Sequence, residues 1–155
     1  MSLMTWTSAM SVGVPELDED HRVLIRIINQ LAESEKNRNH AGILRQSLYS
    51  LLRYAEFHFA REEKVLAACD FPGMTHHKQE HRAFTAHMKK LAEALDDDEL
   101  PAADIVNQDL LIYLKDWLNH HILIEDMAYR KLAESNPLAR EAAKTFRASE
   151  IWWTG

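Results

Sequence analysis

The chain has 155 residues, 46% of them hydrophobic and 27% charged, which suits one globular domain with a core of its own. A net charge of -6, with lysines and arginines scattered along the chain, argues against a surface that tracks nucleic-acid phosphates. The single cysteine, Cys69, rules out an internal disulfide. No run approaches the roughly 18 apolar residues of a membrane span, and the opening MSLMTWTSAM lacks the form of a leader, so the expectation is a cytoplasmic protein with no membrane contact.

Only four glycines and few β-branched clusters lean against a sheet. The first apolar stripe reads Leu17, His21, Leu24, Ile28, Leu31, alternating steps of four and three as one helical face does, with Asp18 as the expected N-cap. The second reads Leu44, Leu48, Leu51, Ala55, His58, Glu62, Val65, Cys69 and stops at DFPG, through Pro72 and Gly73. Thr75 is expected to cap the third, which reads His77, His81, Phe84, Met88, Leu91, Leu95. An acidic run at 96 to 99 reads as a solvated connection, and Pro101 suits a first helical turn. The fourth stripe is Leu110, Leu114, Trp117, His121, then Ile124 and Ala128. Short connections between four long amphipathic helices predict an all-α, up-down-up-down antiparallel four-helix bundle over residues 1–135. Asn136 and Pro137 open a short extra helix, expected to run to about Ser149 on a stripe of Leu138, Ala142 and Phe146. Together with Trp152 and Trp153 it makes a C-terminal extension, residues 136–155, which either folds back on the bundle or meets a partner or second copy.

Histidines and a glutamate occupy core positions of these stripes. Any one of them reads most simply as a hydrogen-bonded core or surface group. As a set they do not: His21, His58, Glu62, His77 and His81 fall on the inward faces of three helices, and His121 adds the fourth. Five imidazoles and a carboxylate in one core need a common cation. Two geometric points remain open. Counting from the turn near Phe71 to Thr75 puts His77 nearer the bundle end than His58 unless the helices are staggered. Asp126, five residues after His121, lies about 140° around a regular helix from it, so both reach one site only through a wide buried face or a local π-bulge.

The succession LDEDH (17–21), HFARE (58–62), HKQEH (77–81) and HILIED (121–126) resembles the ligand series of the hemerythrins, the bacterial ones in particular, and SVGVPELDEDH after Trp6 resembles their lead-in. That resemblance implies a di-iron centre: one iron on His77, His81 and His121, the other on His21 and His58, with Glu62, Asp126 and an oxo or hydroxo group bridging. The two-histidine iron would keep the position where dioxygen binds. It also implies that His76 and His120 stand outside the ligand set, where either could donate a hydrogen bond to it. His40 and His87 read as surface residues, and Cys69 as a small core hydrophobe.

Imidazole alone does not choose among iron, zinc, copper and nickel. Two bridging carboxylates favour a pair of ions about 3.5–4 Å apart, and a donor set rich in neutral imidazole should favour binding oxygen over cleaving it. The expected pocket wall is Leu24, Phe59, Trp117, Leu118 and Ile122, each beside or one turn from a ligand and also indicated by the resemblance. The function expected is reversible dioxygen binding for storage, delivery or sensing, without enzymatic turnover. The alternative is a di-iron oxidoreductase acting on peroxide, nitric oxide or ferrous iron; a structural zinc bundle ranks third.

Overall fold

A computed structural model describes residues 2–36, 41–97 and 101–147; His40, Trp152 and Trp153 lie outside them. Three long helices, α1 (Pro15–Lys36), α2 (Ala41–Ala68) and α3 (Met74–Asp96), form three columns of the bundle. The fourth column is composite. A short α4 (Ala102–Ile105) precedes α5 (Gln108–His120), which continues as a π-helical segment (His121–Asp126), a 3-10 turn (Met127–Tyr129) and α6 (Arg130–Glu134). Helix α7 (Pro137–Thr145) comes last.

The first three stripes bury as their spacing requires, from Leu17 to Leu31, Leu44 to Cys69 and His77 to Leu95, with only Leu91 partly exposed. Helix α2 ends before Pro72 is reached. Asp70 takes a left-handed conformation (φ 51), and the N–H groups of Asp70 and Phe71 bond back to the carbonyls of Ala67 and Leu66, closing the last turn. Helix α3 starts after Gly73, so Thr75 lies inside its first turn and does not cap it. Asp18 is also no cap. It sits inside α1, buried, and accepts hydrogen bonds from Ser11 Oγ (2.6 Å) and the Val12 N–H (2.8 Å), which ties the lead-in to the helix. The region after Pro101 is two helices because Asn107 restarts the chain: its side chain accepts from the Leu110 N–H and donates to the Asp104 carbonyl.

The fourth column departs from its expected stripe. Ile124 is 59% exposed and Ala128 is also exposed, while Ile122, Asp126, Tyr129 and Ala133 turn inward. The π segment fits five residues where a regular helix fits about four, so every residue beyond it is re-phased. The extension behaves similarly. Asn136 caps α7 through the N–H groups of Leu138 and Ala139, with Pro137 at its first position, yet Leu138 is 69% exposed and the helix ends at Thr145. Its buried face is Ala139, Ala142 and Ala143, followed by Phe146, whose ring meets Phe57 at 5.4 Å. Residues 137–146 therefore lie back on the bundle.

The apolar interior falls into two clusters. One runs from Leu24 and Ile28 through Leu51, Ala55 and Phe59 to Phe84, Leu114, Leu118 and Ile122. The other gathers Val14, Leu17, Val65, Leu66, Cys69, Tyr129, Ala133 and the α7 alanines. The buried polar residues occupy the layer between them, because on each long helix the histidines and carboxylates stand between the two apolar runs.

Candidate metal centre

On α2, His58 and Glu62 are four apart and share a face, as do His77 and His81 on α3; α1 supplies His21 and the fourth column His121 and Asp126. All seven are buried. The stagger that the turn count left open is present, since His77 and His81 both reach the same oxygen of Glu62, Oε1, His81 at 2.9 Å. Asp126 also points inward, with Oδ1 3.1 Å from His121 Nε2, and the π segment is what allows it.

Each carboxylate divides its two oxygens between two groups of imidazoles. Glu62 turns Oε1 to His77, His81 and His121, and Oε2 to His58 at 3.3 Å and His21 at 3.9 Å. Asp126 turns Oδ1 to His77 (3.0 Å) and His121, and Oδ2 to His21 (3.2 Å). Two four-donor clusters result, Glu62 with His77, His81 and His121, and Glu62 with His21, His58 and Asp126; in each, the donor atoms lie within 4.8 Å of one another.

Without cations such a layer pairs charges but leaves some of its polar atoms unmatched. Burial raises the Glu62 and Asp126 carboxyls, but the surrounding imidazoles outweigh it and both end below the ordinary carboxylate range. Burial lowers His58 and His77, yet the carboxylates of Asp20 and Glu62 beside the first, and of Asp126 and Glu62 beside the second, push both up to about 10. His121 is held below its usual value by burial. Two pairs of ring nitrogens face each other at hydrogen-bond distance, His21 with His58 (3.1 Å) and His81 with His121 (3.2 Å), and at most one of each pair can donate. Both oxygens of Asp126 are buried without a hydrogen-bond partner despite three imidazoles within 3.2 Å. Converging lone pairs and orphaned carboxylate oxygens are what a pair of bound cations would satisfy.

Outer partners fix the rings. His58 donates Nδ1–H to Asp20 (3.0 Å), whose other oxygen accepts from Tyr54 OH at 2.9 Å. His81 donates Nδ1–H to Glu63 at 2.9 Å. Carboxylates on the far nitrogen of an imidazole fix its tautomer and make it a better ligand. Tyr129 OH donates to Glu62 Oε2 at 3.1 Å from the second apolar cluster. Sequence reasoning missed these four residues and assigned the outer role to His76 or His120, which are exposed and pair with Glu125. A signal existed for Asp20, a carboxylate next to His21 on a helix whose later turns are apolar, and for Tyr54, one turn before His58 on the same face.

An apolar cavity adjoins the layer on the side of the first cluster, lined by Leu24, Ile28, Leu51, Ala55, Phe59, Phe84, Leu114, Trp117 and Leu118. It has room for about one water-sized guest. Phe59 stacks on His81 (ring centroids 4.0 Å apart) and Trp117 on His121 (4.7 Å), so two walls of the cavity are also supports of the imidazoles. Four of the five expected wall residues line it; Ile122 is buried in the same apolar cluster but does not reach the cavity.

A layer of five histidines and two carboxylates between the apolar cores of a four-helix bundle defines a candidate cation site of carboxylate–histidine type. The model of the hemerythrin HHE cation binding domain matches residues 12–133. A bacteriohemerythrin of Stenotrophomonas maltophilia is 28% identical over 143 residues, covering 91% of this chain and 90% of its own. A myohemerythrin of Riftia pachyptila is 31% identical over 125 residues, covering 81% and 89%. A crystal structure of wild-type hemerythrin superposes with a TM-score of 0.79 at 26% identity, covering 86% of this chain and all of that one. The chain belongs to the hemerythrin family.

Proposed function

We propose that the chain binds dioxygen reversibly at two iron ions. His77, His81 and His121 would hold one, His21 and His58 the other, with Glu62, Asp126 and an oxo or hydroxo group between them. The observation that carries this reading is the division of both buried carboxylates, one oxygen toward each imidazole group. A single tetrahedral zinc would leave three of seven donors idle. When bound, the iron pair supplies the electrons that hold dioxygen.

The chain's own part is exclusion and restraint. Leu24, Leu118, Phe59 and Trp117 present only apolar surface to the cavity, so water and its protons are kept from a guest there. The hydroxyl that donates to Glu62, that of Tyr129, belongs to the apolar cluster on the opposite side of the layer, and burial together with Asp126 and Glu62 holds its proton tightly. A site dry on one side and reluctant to give up a proton on the other suits binding and release over turnover, which disfavours an oxidoreductase acting on peroxide, nitric oxide or ferrous iron. Reversible binding of this kind serves storage, delivery or sensing.

Metal analysis with an optical spectrum of anaerobically reduced protein, before and after air, tests the assignment. Two iron ions per chain with oxo-bridged ferric absorption after oxidation are expected. Full incorporation of one zinc, with no such absorption after iron loading, would overturn it.

A further inference from the structure

The sequence doubles three of its polar positions: His76 precedes His77, His120 precedes His121, and Glu125 precedes Asp126. The second member of each pair lies in the buried layer, and the first members meet one another on the surface. Glu125 Oε2 lies 3.2 Å from His76 Nε2, and Glu125 Oε1 lies 3.2 Å from His120 Nε2. Glu80, one turn after His76, approaches the same ring nitrogen at 3.9 Å. The π segment accounts for the meeting of His120 with Glu125. Winding that lets residue 126 face the same way as 121 also brings 125 round to 120.

Exposed histidine–carboxylate pairs contribute little to stability, so fold maintenance gives no reason for two imidazoles from different helices to converge on one carboxylate. Two imidazole nitrogens and a carboxylate are the donor set of borderline divalent ions, zinc, nickel, copper and ferrous iron among them, and a poor one for calcium or magnesium. The imidazoles, 59% and 58% exposed, sit on opposite oxygens of the half-buried Glu125, so a ring turns to bring both nitrogens to one ion. We propose that His76, His120 and Glu125, with Glu80 as a fourth donor, form a second, surface site for one divalent transition-metal ion. Such an ion pins α3 to the π turn, leaves coordination positions to water, and exchanges freely with solution.

The test is equilibrium dialysis of the full chain, loaded with iron, against zinc alone, followed by metal analysis. Wild type is expected to bind one more zinc ion per chain than the His76→Gln/His120→Gln double variant. Each single variant should weaken that uptake ~10-fold or more, as loss of one of three strong donors requires. His87→Gln, which removes an exposed histidine that packs on Tyr113 two turns beyond Glu80, should change nothing. The difference between wild type and variant is the readout whatever fills the buried layer, and iron content in the same samples reports on that layer separately. Equal zinc uptake by wild type and both single variants, no uptake at all, or uptake matched by loss of iron would overturn the proposal.

Discussion

His121 and Asp126 are five residues apart and both face the buried layer, with His121 Nε2 and Asp126 Oδ1 separated by 3.1 Å. On an α-helix that spacing would leave them about 140° apart; the π winding between them absorbs the surplus residue. A π segment amounts to one extra residue in a regular helix, so removing one should restore α winding and leave the phase of Asp126 and Tyr129 unchanged. Deleting the exposed Leu123 is therefore expected to leave two iron ions per chain. Inserting one alanine after Leu123 should rotate Asp126 away and lower the metal content. Iron analysis of the two purified variants checks this; loss on deletion and retention on insertion would contradict the role given to the π winding.

Metal removal should make stability depend on alkaline pH. His58 and His77 are pushed up to about 10 in the metal-free layer, against about 6.5 in an unfolded chain. Their contribution is fully present below about pH 6.5 and is lost as pH rises through about 10. Glu62 and Asp126 are lowered, so theirs is present above the ordinary carboxylate pKa of about 4 and is lost as pH falls through the depressed values. Thermal unfolding followed by circular dichroism should give the metal-free protein its highest Tm between about pH 5 and 6.5, declining toward pH 10. The iron-loaded protein should change little over that rise. A metal-free Tm that is flat or increasing from neutral to alkaline pH would contradict this reading.

Asp20 positions His58 without touching the ion site. Asp20→Asn keeps the shape but removes the charge that accepts the Nδ1 proton, and should weaken metal affinity about 10–100-fold. Tyr54→Phe, one bond further out, should have a smaller effect in the same direction. Competition against a chelator measures both, and unchanged affinity in Asp20→Asn would remove the positioning role.

Truncation after Ser135 should leave metal binding in place, because no residue of the buried layer lies beyond Asp126 except Tyr129 OH on Glu62. It uncovers the cluster that Ala139, Ala142, Ala143 and Phe146 close, worth about 2–4 kcal/mol of burial, or roughly 10 °C in Tm for a chain of this size. A folded truncated protein that has lost its metal would show that the extension belongs to the site.

Three of the four inward faces were legible because their 3.6-residue rhythm is unbroken from end to end, and His21, His58, Glu62, His77 and His81 stood out against it, with His121 on the fourth; Asp126 did not, and entered the ligand set only through the resemblance. The fourth face became unreadable at the π segment, where a fixed rhythm predicts Ile124 and Ala128 and the chain buries Asp126 and Tyr129. Helix ends were misread where a tertiary bond captured the capping residue, as Ser11 and the Val12 N–H do with Asp18. Asp20 carried only the hint of its place beside His21, for a related reason. It is about 100° off the inward stripe and faces Tyr54 and His58 on α2, so only the packing of two helices reveals it.

Reversible oxygen binding is decided by the optical spectrum of anaerobically reduced, iron-loaded protein carried through exposure to oxygen and then vacuum. The expected result is an oxygenated spectrum that persists and then returns to the reduced one under vacuum over repeated cycles. In Leu118→Ala, which opens the apolar cavity wall, the oxygenated form should decay faster to the diferric state. Steady oxygen consumption by wild type in the presence of a reductant, with no recovery under vacuum and no faster decay in Leu118→Ala, would contradict reversible binding and make the chain a di-iron oxidoreductase.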